Sequence, residues 1–296
     1  MRLARLQSVV LLLLALLAAA LWLSVWQATS QILEVTFLDV GQGDSILVKA
    51  PGGAAMLIDG GPAGQYGSSD TPRRIILPAL LVAGVNRLQA VVLTHAHDDH
   101  VGGLPEVIQQ VPANMLLAPR VEGESDSYRR LIEIAQGKGI EVIPAAAGQA
   151  IVLGGGALCE ILHPGPQPVF GSASDVNNNS TVMRLTYRQF SLLLPGDLEA
   201  EGEQYLLSRR PNLESTVLKV AHHGSDSATS EAFLAAVRPR LAIISVGRSN
   251  PFDCPRPVTL ARLRAHGVRI LRTDLDGAIT VRADGKTWNV RTYKRR

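Results

Sequence analysis

THAHDDHVGG at residues 94–103 brings three histidines and two aspartates into one short segment of this chain. It follows LQAVVL at residues 88–93, a short apolar segment rich in β-branched residues, which predicts a buried strand. His95 and His97 are two positions apart, so both rings can face the same side of extended or turning backbone. Neutral imidazole is a favoured ligand of zinc and its neighbours. The pattern therefore predicts a metal site where the strand ends.

The same run predicts a second metal ion. Asp99 and His100 are adjacent and face away from the first pair, so they could serve an ion about 3.5–4 Å from the first, the separation usual in two-metal hydrolases. A polar surface loop is the alternative interpretation. The concentration of three of the seven histidines within six residues argues against that alternative.

HxHxDH after an apolar strand, closed by two glycines, resembles the metallo-β-lactamase superfamily of binuclear hydrolases. The resemblance implies an α/β fold, an αββα sandwich of two mixed sheets flanked by helices. It also implies an upstream Asp-Gly-Gly, which residues 59–61 supply, with Asp59 orienting loop backbone or a metal-bound histidine. Without the resemblance, this triplet is only a turn.

The resemblance further implies a bridging carboxylate and a late histidine. FSLLLPGD at residues 190–197 supplies the carboxylate in Asp197, which would balance the charge of two cations and hold them close. VLKVA at residues 217–221 then leads into His222 and His223. Because adjacent side chains on extended backbone point to opposite faces, we expect one of the two histidines to bind metal, with a preference for His223.

The chain departs from the superfamily average between HxHxDH and the bridging carboxylate. Most members carry a further histidine in this interval, which here contains only His163. At the expected place stands an Asn-rich loop, SDVNNNSTV at residues 174–182. With FLDVGQGDS at residues 37–45 and KVAHHGS at residues 219–225, this loop resembles the hydrolase domain of ComEC-type competence proteins, which act in DNA internalisation. The phosphorylcholine esterases are more distantly similar.

This subgroup resemblance alters the expected metal shell. Loss of a histidine leaves His95, His97 and Asp197 with water at the first ion, an oxygen-richer set for which manganese competes with zinc. We therefore expect two divalent ions, zinc or manganese. The Asn-rich loop would hold substrate, with Asn178 and Ser180 donating to phosphate oxygens, or would be an Asx-rich surface turn.

Roles follow for the candidate residues. Lys219 could neutralise substrate phosphate as a compact point charge, or lie on an exposed strand face. Asp99 would share proton handling with ligation. The candidate catalytic residues are Asp99, Asp197, Lys219, Asn178 and Ser180. The candidate metal ligands are His95, His97, Asp99, His100, Asp197, His223 and His222.

The two cysteines are expected to be free thiols. Cys254 precedes Pro255 where the subgroup tends to have His-Pro, so the substitution could alter activity. Its alternative interpretation is a small buried residue. Pairing of Cys159 with Cys254 in an oxidising compartment is the alternative to free thiols.

The N-terminus predicts export. Residues 1–5 carry two arginines, and residues 8–26 form an uncharged apolar run that spans a bilayer at about 1.5 Å per residue. We expect residues 1–30 to be a transmembrane anchor with a cytoplasmic N-terminus, and residues 31–296 to be one hydrolase domain outside the cytoplasm. Cleavage near residues 28–30 would instead release a secreted protein.

Composition narrows the partners. A formal charge of +3 and a pI near 9.0 are too mild to establish nucleic-acid binding. Aromatic residues make up 4% of the chain, which argues against an extended base-stacking platform and favours recognition of the phosphate backbone.

The sequence thus predicts a metal-dependent phosphodiesterase or nuclease acting on DNA. A small-phosphodiester hydrolase resembling the phosphorylcholine esterases, and a non-catalytic DNA-uptake module, are the alternatives. Helices are expected at residues 78–83, 104–110, 127–136 and 230–236, and hairpin turns at residues 154–156 and 272–279.

Overall fold

A computed structural model describes residues 2–29, 31–63, 70–121 and 125–294. Its strands form two mixed sheets. The helices are α1 (Arg2–Thr29), α2 (Leu77–Val82), α3 (Asp98–Val101), α4 (Leu104–Gln110), α5 (Asp126–Gly137), α6 (Asp175–Asn178), α7 (Ala200–Ser208), α8 (Glu231–Val237), α9 (Pro257–Ala265) and α10 (Thr273–Asp276). A π-helical turn at Pro72–Ile76 precedes α2, and a 3₁₀ turn occupies Ala221–Gly224.

The first sheet has eight strands. In spatial order they are β15 (Trp288–Thr292), β14 (Ile279–Ala283), β1 (Leu33–Phe37), β2 (Ile46–Lys49), β3 (Ala55–Ile58), β4 (Ala90–Val92), β5 (Met115–Ala118) and β6 (Glu141–Pro144). Pairing is antiparallel from β15 to β3 and parallel from β3 to β6. Met56 lies opposite Ala90 in the β3–β4 pair, which fixes the register of the strand before HxHxDH.

The second sheet has seven strands. In spatial order they are β13 (Arg269–Arg272), β12 (Leu241–Ile244), β11 (Val217–Lys219), β10 (Phe190–Leu194), β9 (Val182–Tyr187), β8 (Ala157–His163) and β7 (Ala150–Gly154). Strands β10 to β13 are parallel, and β7 to β10 are antiparallel. Strand β11 lies inside the parallel half, so its three residues are all buried.

Three apolar clusters hold these layers together. The first joins inward-facing residues of both sheets, including Phe37 and Leu192. The second packs the outer face of the first sheet against α2, α4 and α5, and the third packs the outer face of the second sheet against α7, α8 and α9. The expected α/β architecture of two mixed sheets covered by helices is confirmed for the residues described.

Most of the expected local elements are present. Residues 104–110 are α4 as expected, and the other three expected helices match within one or two residues. The turn at residues 154–156 does join the β7–β8 hairpin. The hairpin expected at residues 272–279 is wrong, because β13 and β14 belong to different sheets and the short helix α10 connects them.

The N-terminal segment is helical over Arg2–Thr29. Among the described residues, no helix was found with both the length and the apolar character that crossing a membrane requires. The anchor expected over residues 1–30 is therefore not confirmed, and Met1 and Ser30 at its two ends lie outside the described residues.

Candidate metal centre

The predicted ligands come together where three strands end. HxHxDH follows β4 and continues into α3, Asp197 comes three residues after β10, and His222 and His223 come shortly after β11. Ligand sites of α/β sheets lie beyond the carboxyl ends of parallel strands, where side chains from separate turns can meet. The turn after β4 of the first sheet and the turns after β10 and β11 of the second sheet lie together at one edge of the two sheets.

Four of these side chains form one compact group. The potential ligand atoms of Asp99, His100, Asp197 and His223 all lie within 4.8 Å of one another. Oδ2 of Asp197 is 3.2 Å from Nε2 of His100 and 3.2 Å from Nε2 of His223. Nε2 of His223 is also 3.3 Å from Oδ2 of Asp99.

Hydrogen bonds behind this group fix the imidazole tautomers. Nδ1 of His100 lies 2.8 Å from Asp59 Oδ2, and Nδ1 of His223 lies 2.9 Å from the Ser245 carbonyl oxygen. Both partners are acceptors, so each neutral ring carries its proton on Nδ1 and presents a lone pair at Nε2. The two Nε2 atoms are only 3.3 Å apart. Two lone pairs and two carboxylate oxygens at such distances fit a bound cation.

Burial and charge favour a cation at the same place. Burial alone would lower the pKa of His223, but Asp197 and Asp99 outweigh it and raise the pKa to about 10. Burial also opposes charge on His100, and the carboxylates of Asp197, Asp99 and Asp59 raise its pKa well above the ordinary value. The negative field that would retain protons on these imidazoles would equally hold a divalent ion.

The charge of the groups at the centre favours bound cations. With neutral imidazoles, four carboxylates carry four negative charges and one ammonium carries a positive charge, which leaves a net charge of −3; the groups are the buried Asp44, Asp59, Asp197 and Lys219 and the partly exposed Asp99. Uncompensated charge in a protein interior is costly. One divalent cation would change this net charge to −1, and two would change it to +1. The donor set therefore fits bound divalent cations.

A second pair of imidazoles lies beside the four-residue group. Nε2 of His95 is 3.1 Å from Nδ1 of His97 and 4.0 Å from Oδ2 of Asp197. Burial lowers the pKa of both imidazoles, to well below the ordinary value for His95, so both rings are neutral and able to ligate. Thr94 gives its hydroxyl proton to Asp59, so its oxygen accepts from Nδ1 of His95 at 3.1 Å and leaves Nε2 with a lone pair.

Asp59 supports His100 directly and His95 through Thr94. It accepts hydrogen bonds at 2.8 Å from the Thr94 backbone nitrogen, from the Thr94 hydroxyl and from His100. The following Gly60 passes so close to α4 that a Cβ atom there would lie 2.5 Å from the Leu104 backbone nitrogen. The Asp-Gly-Gly segment is therefore a structural support of the centre as well as a turn.

Lys219 contacts Asp197 and is not among the residues that line the cavity described below. Its side chain is 1% exposed, so an exposed strand face is the wrong interpretation. The ammonium donates to the Asp44 carboxylate, to Asp197 Oδ1 at 3.2 Å and to the Gly196 carbonyl at 3.0 Å. These three contacts use its three hydrogens, so the structure gives Lys219 protein partners in place of the expected substrate phosphate.

The Asn-rich segment divides between the cavity and the helix behind it. The side-chain oxygen of Asn178 accepts from the backbone nitrogens of Glu199 and Gly202, at 3.2 and 2.9 Å, and so caps the start of α7. Ser180 Oγ accepts from the Asp197 backbone nitrogen at 3.3 Å. The structure thus brings Ser180 to the centre, but not the Asn178 amide. Asn177, which the sequence analysis did not name as a candidate, lines the cavity.

The expectation that His222 and His223 lie on extended backbone is wrong. His222 and His223 have φ values of +48° and +52° within a tight turn, so their rings do not point to opposite faces. Nε2 of His222 lies 4.0 Å from the same Asp197 oxygen that His223 approaches at 3.2 Å. Nδ1 of His222 lies 3.0 Å from Oε1 of Glu199.

An open cavity of about 590 Å³ gives solvent access to the centre. Its walls include His97, Asp99, Asn177, Asp197, His222, His223, Cys254 and Arg256.

Burial raises the pKa of the Cys254 thiol to about 11, so the residue at the expected histidine position is uncharged at neutral pH. Both cysteines are free thiols, as expected. His163 is not among the residues that line this cavity, and its Nε2 lies 2.9 Å from the Asn178 carbonyl oxygen.

Comparison with known proteins identifies the family. Residues 38–248 match the model of the Metallo-beta-lactamase superfamily. The chain belongs to this superfamily. The ComEC-type resemblance is also confirmed, by ComE operon protein 3 of Bacillus subtilis, 31% identical over 88% of this chain, and competence protein ComA of Neisseria gonorrhoeae, 33% identical over 88%. The alignments cover 34% of each relative, so the chain spans about a third of their length.

Solved structures of this superfamily's fold are similar at low sequence identity. CmlA, a diiron β-hydroxylase from Streptomyces venezuelae, is 14% identical with a TM-score of 0.55, over 85% of this chain and 54% of CmlA. This likeness shows the fold alone, because one fold supports unrelated reactions.

Proposed function

We propose that this metallo-β-lactamase superfamily member is a metal-dependent phosphodiesterase that cleaves DNA. The observation that carries the proposal is the convergence of two proton-free Nε2 atoms, from His100 and His223, on the carboxylates of Asp99 and Asp197. Two divalent ions, zinc or manganese, would be held there and at His95. When bound, such ions lower the pKa of water towards neutrality and stabilise negative charge on phosphoryl oxygens.

The protein's own residues prepare the centre for that chemistry. Asp197 turns Oδ2 to the imidazoles and Oδ1 to Lys219, so its orientation is set before substrate enters. Asp99 lies partly exposed on the cavity wall, and although burial opposes it, His100 and His223 lower the pKa of its carboxyl, which favours the role of a carboxylate ligand over that of a proton acceptor. Ser180 accepts a hydrogen bond from the Asp197 backbone nitrogen, and the amide of the cavity-lining Asn177 donates to Glu199 Oε1 at 2.9 Å.

DNA is proposed as substrate from the relatives. ComE operon protein 3 of Bacillus subtilis and competence protein ComA of Neisseria gonorrhoeae each match 88% of this chain, and ComEC-type proteins act in DNA internalisation. The scarcity of aromatic residues favours recognition of the phosphate backbone over stacking of bases.

A small phosphodiester is the second candidate substrate. The cavity volume of about 590 Å³ is within the usual range for sites that enclose a small ligand. A non-catalytic module remains the third hypothesis, since Cys254 replaces a histidine of the subgroup. The convergence of Asp99, His100, Asp197 and His223 argues for retained activity.

We also propose that the hydrolase domain works outside the cytoplasm. Two arginines precede the uncharged apolar residues 8–26, an arrangement that orients an N-terminus towards the cytoplasm. A fusion of alkaline phosphatase to the C-terminus tests this proposal: enzyme activity in intact cells that disappears on deletion of residues 1–30 supports export, and an inactive full-length fusion contradicts it.

Cleavage of labelled DNA by the full chain tests the catalytic proposal. Single- and double-stranded oligonucleotides are incubated with manganese, zinc or magnesium, beside bis-aryl phosphodiesters. We expect metal-dependent DNA cleavage that His97→Ala abolishes and His266→Ala preserves, since His266 lies on the surface beside Glu231. Turnover of the aryl diester without DNA cleavage would indicate the small-substrate candidate, and binding of metal without any turnover would indicate a non-catalytic module.

A further inference from the structure

The cavity wall beyond the metal centre carries one permanently charged cation. Among the described residues that line the cavity, Arg256 is the one arginine and none is a lysine. Asp98, Asp226 and Asp253 add three carboxylates to the same wall, outside the four-residue group. The Lys219 ammonium already donates to protein partners. A phosphate that enters the cavity therefore meets one guanidinium on a wall that is otherwise acidic.

Backbone contacts hold Arg256 beside the centre. Its backbone nitrogen donates to the carbonyl oxygen of Gly224 at 2.9 Å, and Gly224 directly follows His223 of the four-residue group. Pro255 packs against the same turn so closely that a Cβ atom on Gly224 would lie 2.6 Å from Pro255 Cβ. The position of Arg256 relative to the His-His turn is therefore fixed by the backbone.

The loop that precedes Arg256 is closed by one amide side chain. Asn250 donates to the carbonyl oxygens of Gly247 and Cys254, at 2.9 and 2.7 Å, and its Oδ1 accepts from the Cys254 backbone nitrogen at 3.0 Å. Burial raises the pKa of the Cys254 thiol, the charge of Arg256 opposes that rise, and the charge of Asp197 adds to it. Cys254 is thus close to both charged groups, and the loop places the guanidinium near the Asp197 carboxylate.

The Arg256 guanidinium is only loosely paired. Nη1 donates to Asp253 Oδ2 at 3.4 Å, and Nε lies 4.0 Å from Asp226 Oδ2. The side chains of all three residues are exposed to solvent, so these ion pairs contribute little free energy. A guanidinium has five N–H donors and binds phosphate through two parallel hydrogen bonds. Arg256 can therefore exchange an exposed carboxylate for a phosphate at low cost.

A nucleic-acid strand supplies a phosphate for this exchange. Each strand of duplex DNA carries one phosphate charge about every 3.4 Å along the helix axis, so a strand with one phosphate at the metal centre brings the next phosphate to the adjoining wall. A small phosphodiester has a single phosphate, which the centre itself would hold. A second phosphate contact beside the centre would therefore distinguish a strand from a small diester.

We propose that Arg256 binds the phosphate next to the one that is cleaved, so that the site selects strands with at least two consecutive phosphates over molecules with a single phosphodiester. Asp226 and Asp253 compete with this phosphate for the guanidinium and repel it. The proposal rests on the DNA-cleaving function proposed above.

Kinetics with short nucleotides of defined phosphate number test this role. The manganese-loaded full chain is assayed with a dinucleoside monophosphate, which has one phosphate, and with a trinucleoside diphosphate, which has two. Loss of a hydrogen bond to a charged group predicts a KM about 10–100-fold higher for the two-phosphate substrate in Arg256→Ala, with kcat and the KM of the one-phosphate substrate unchanged. Arg256→Lys keeps the charge without the planar fork and should give an intermediate KM.

A surface ion pair provides a matched control. Arg129 and Asp126 have the same three-residue spacing as Arg256 and Asp253 and are not among the residues that line the cavity. Arg129→Ala should leave both KM values unchanged. Asp226→Asn should lower the KM of the two-phosphate substrate, because it releases the guanidinium and removes a repulsive charge. Asp253→Asn should do the same, whereas a purely structural role of the surface pair would make Asp253→Asn and Arg256→Ala behave alike.

The outcomes separate this inference from the proposed function. Cleavage of both nucleotides with an unchanged KM in Arg256→Ala would overturn the phosphate contact and leave the nuclease in place. Equal increases in KM for both substrates would put Arg256 on the cleaved phosphate and would also overturn the proposal. A wild-type chain that cleaves neither nucleotide would overturn the proposed function. The Kd for a fluorescent oligonucleotide, measured by anisotropy, then decides the Arg256 contact, and equal Kd values in the wild type and Arg256→Ala would overturn it.

Discussion

Replacement of the buried Lys219 ammonium by Lys219→Met tests how the centre is supported. Lys219 contacts the carboxylates of Asp44 and Asp197 and has 1% side-chain exposure, so methionine would leave two buried carboxylates without their cation. Removing one partner of a buried ion pair costs about 3–5 kcal/mol. For a domain of this size, that loss corresponds to a fall in Tm of about 6–20 °C in the metal-free chain.

Urea unfolding of the metal-free and metal-loaded chains measures this loss. The expected free energy of unfolding is lower by about 3–5 kcal/mol for metal-free Lys219→Met, and bound divalent ions should restore part of it because they also compensate Asp197. Lys138→Met is the control, because this exposed lysine contacts only the Gln109 carbonyl among the contacts described, and we expect a change within about 0.5 kcal/mol. In a double-mutant cycle, adding Asp44→Asn should cost less in Lys219→Met than in the wild type. A loss below about 1 kcal/mol, or additive effects, would refute the account of a buried charge pair.

Three further substitutions or treatments have defined outcomes. Asp59→Asn should weaken binding of the ion at His100 about 10–100-fold, measured by competition with a fluorescent chelator; unchanged affinity would contradict the orienting role. Asn178→Ala should lower the unfolding free energy by about 0.5–2 kcal/mol through loss of the α7 cap, with the KM for DNA unchanged, whereas a raised KM would support substrate binding by Asn178. Cys254 in the metal-free chain should react slowly with iodoacetamide at pH 8, because a thiol with a pKa of about 11 is almost wholly protonated there. The alkylation rate should rise with pH up to about 11, and fast reaction at pH 7 would contradict this value.

The ligands themselves could be predicted because each follows a strand that the local sequence indicates. An apolar segment followed by HxHxDH, and another followed by Pro-Gly-Asp, each combine a buried strand with a polar turn. The strand before His95 and His100 lies in one sheet and the strand before Asp197 in the other, so their approach was expected from the resemblance to the metallo-β-lactamase superfamily and not from strand order.

The supporting residues could not be predicted, because they depend on tertiary structure. Lys219 is buried since β11 has neighbours on both sides and Lys219 shares the strand face of Val217, which packs between the two sheets; three residues of sequence do not reveal this. Asp44 contacts Lys219 from the β1–β2 loop of the other sheet. The GQGDS motif that contains Asp44 does not by itself predict this contact. Glu199 lies only two residues after Asp197, and its 3.0 Å approach to His222 Nδ1 depends on the left-handed turn at His222.

Anomalous diffraction from crystals of the manganese-loaded protein tests the central claim most directly. The account predicts two manganese peaks, one within ligand distance of Asp99, His100 and His223 and the other of His95 and His97, with Asp197 between them. A single peak, or two peaks that do not share Asp197, would contradict the binuclear centre.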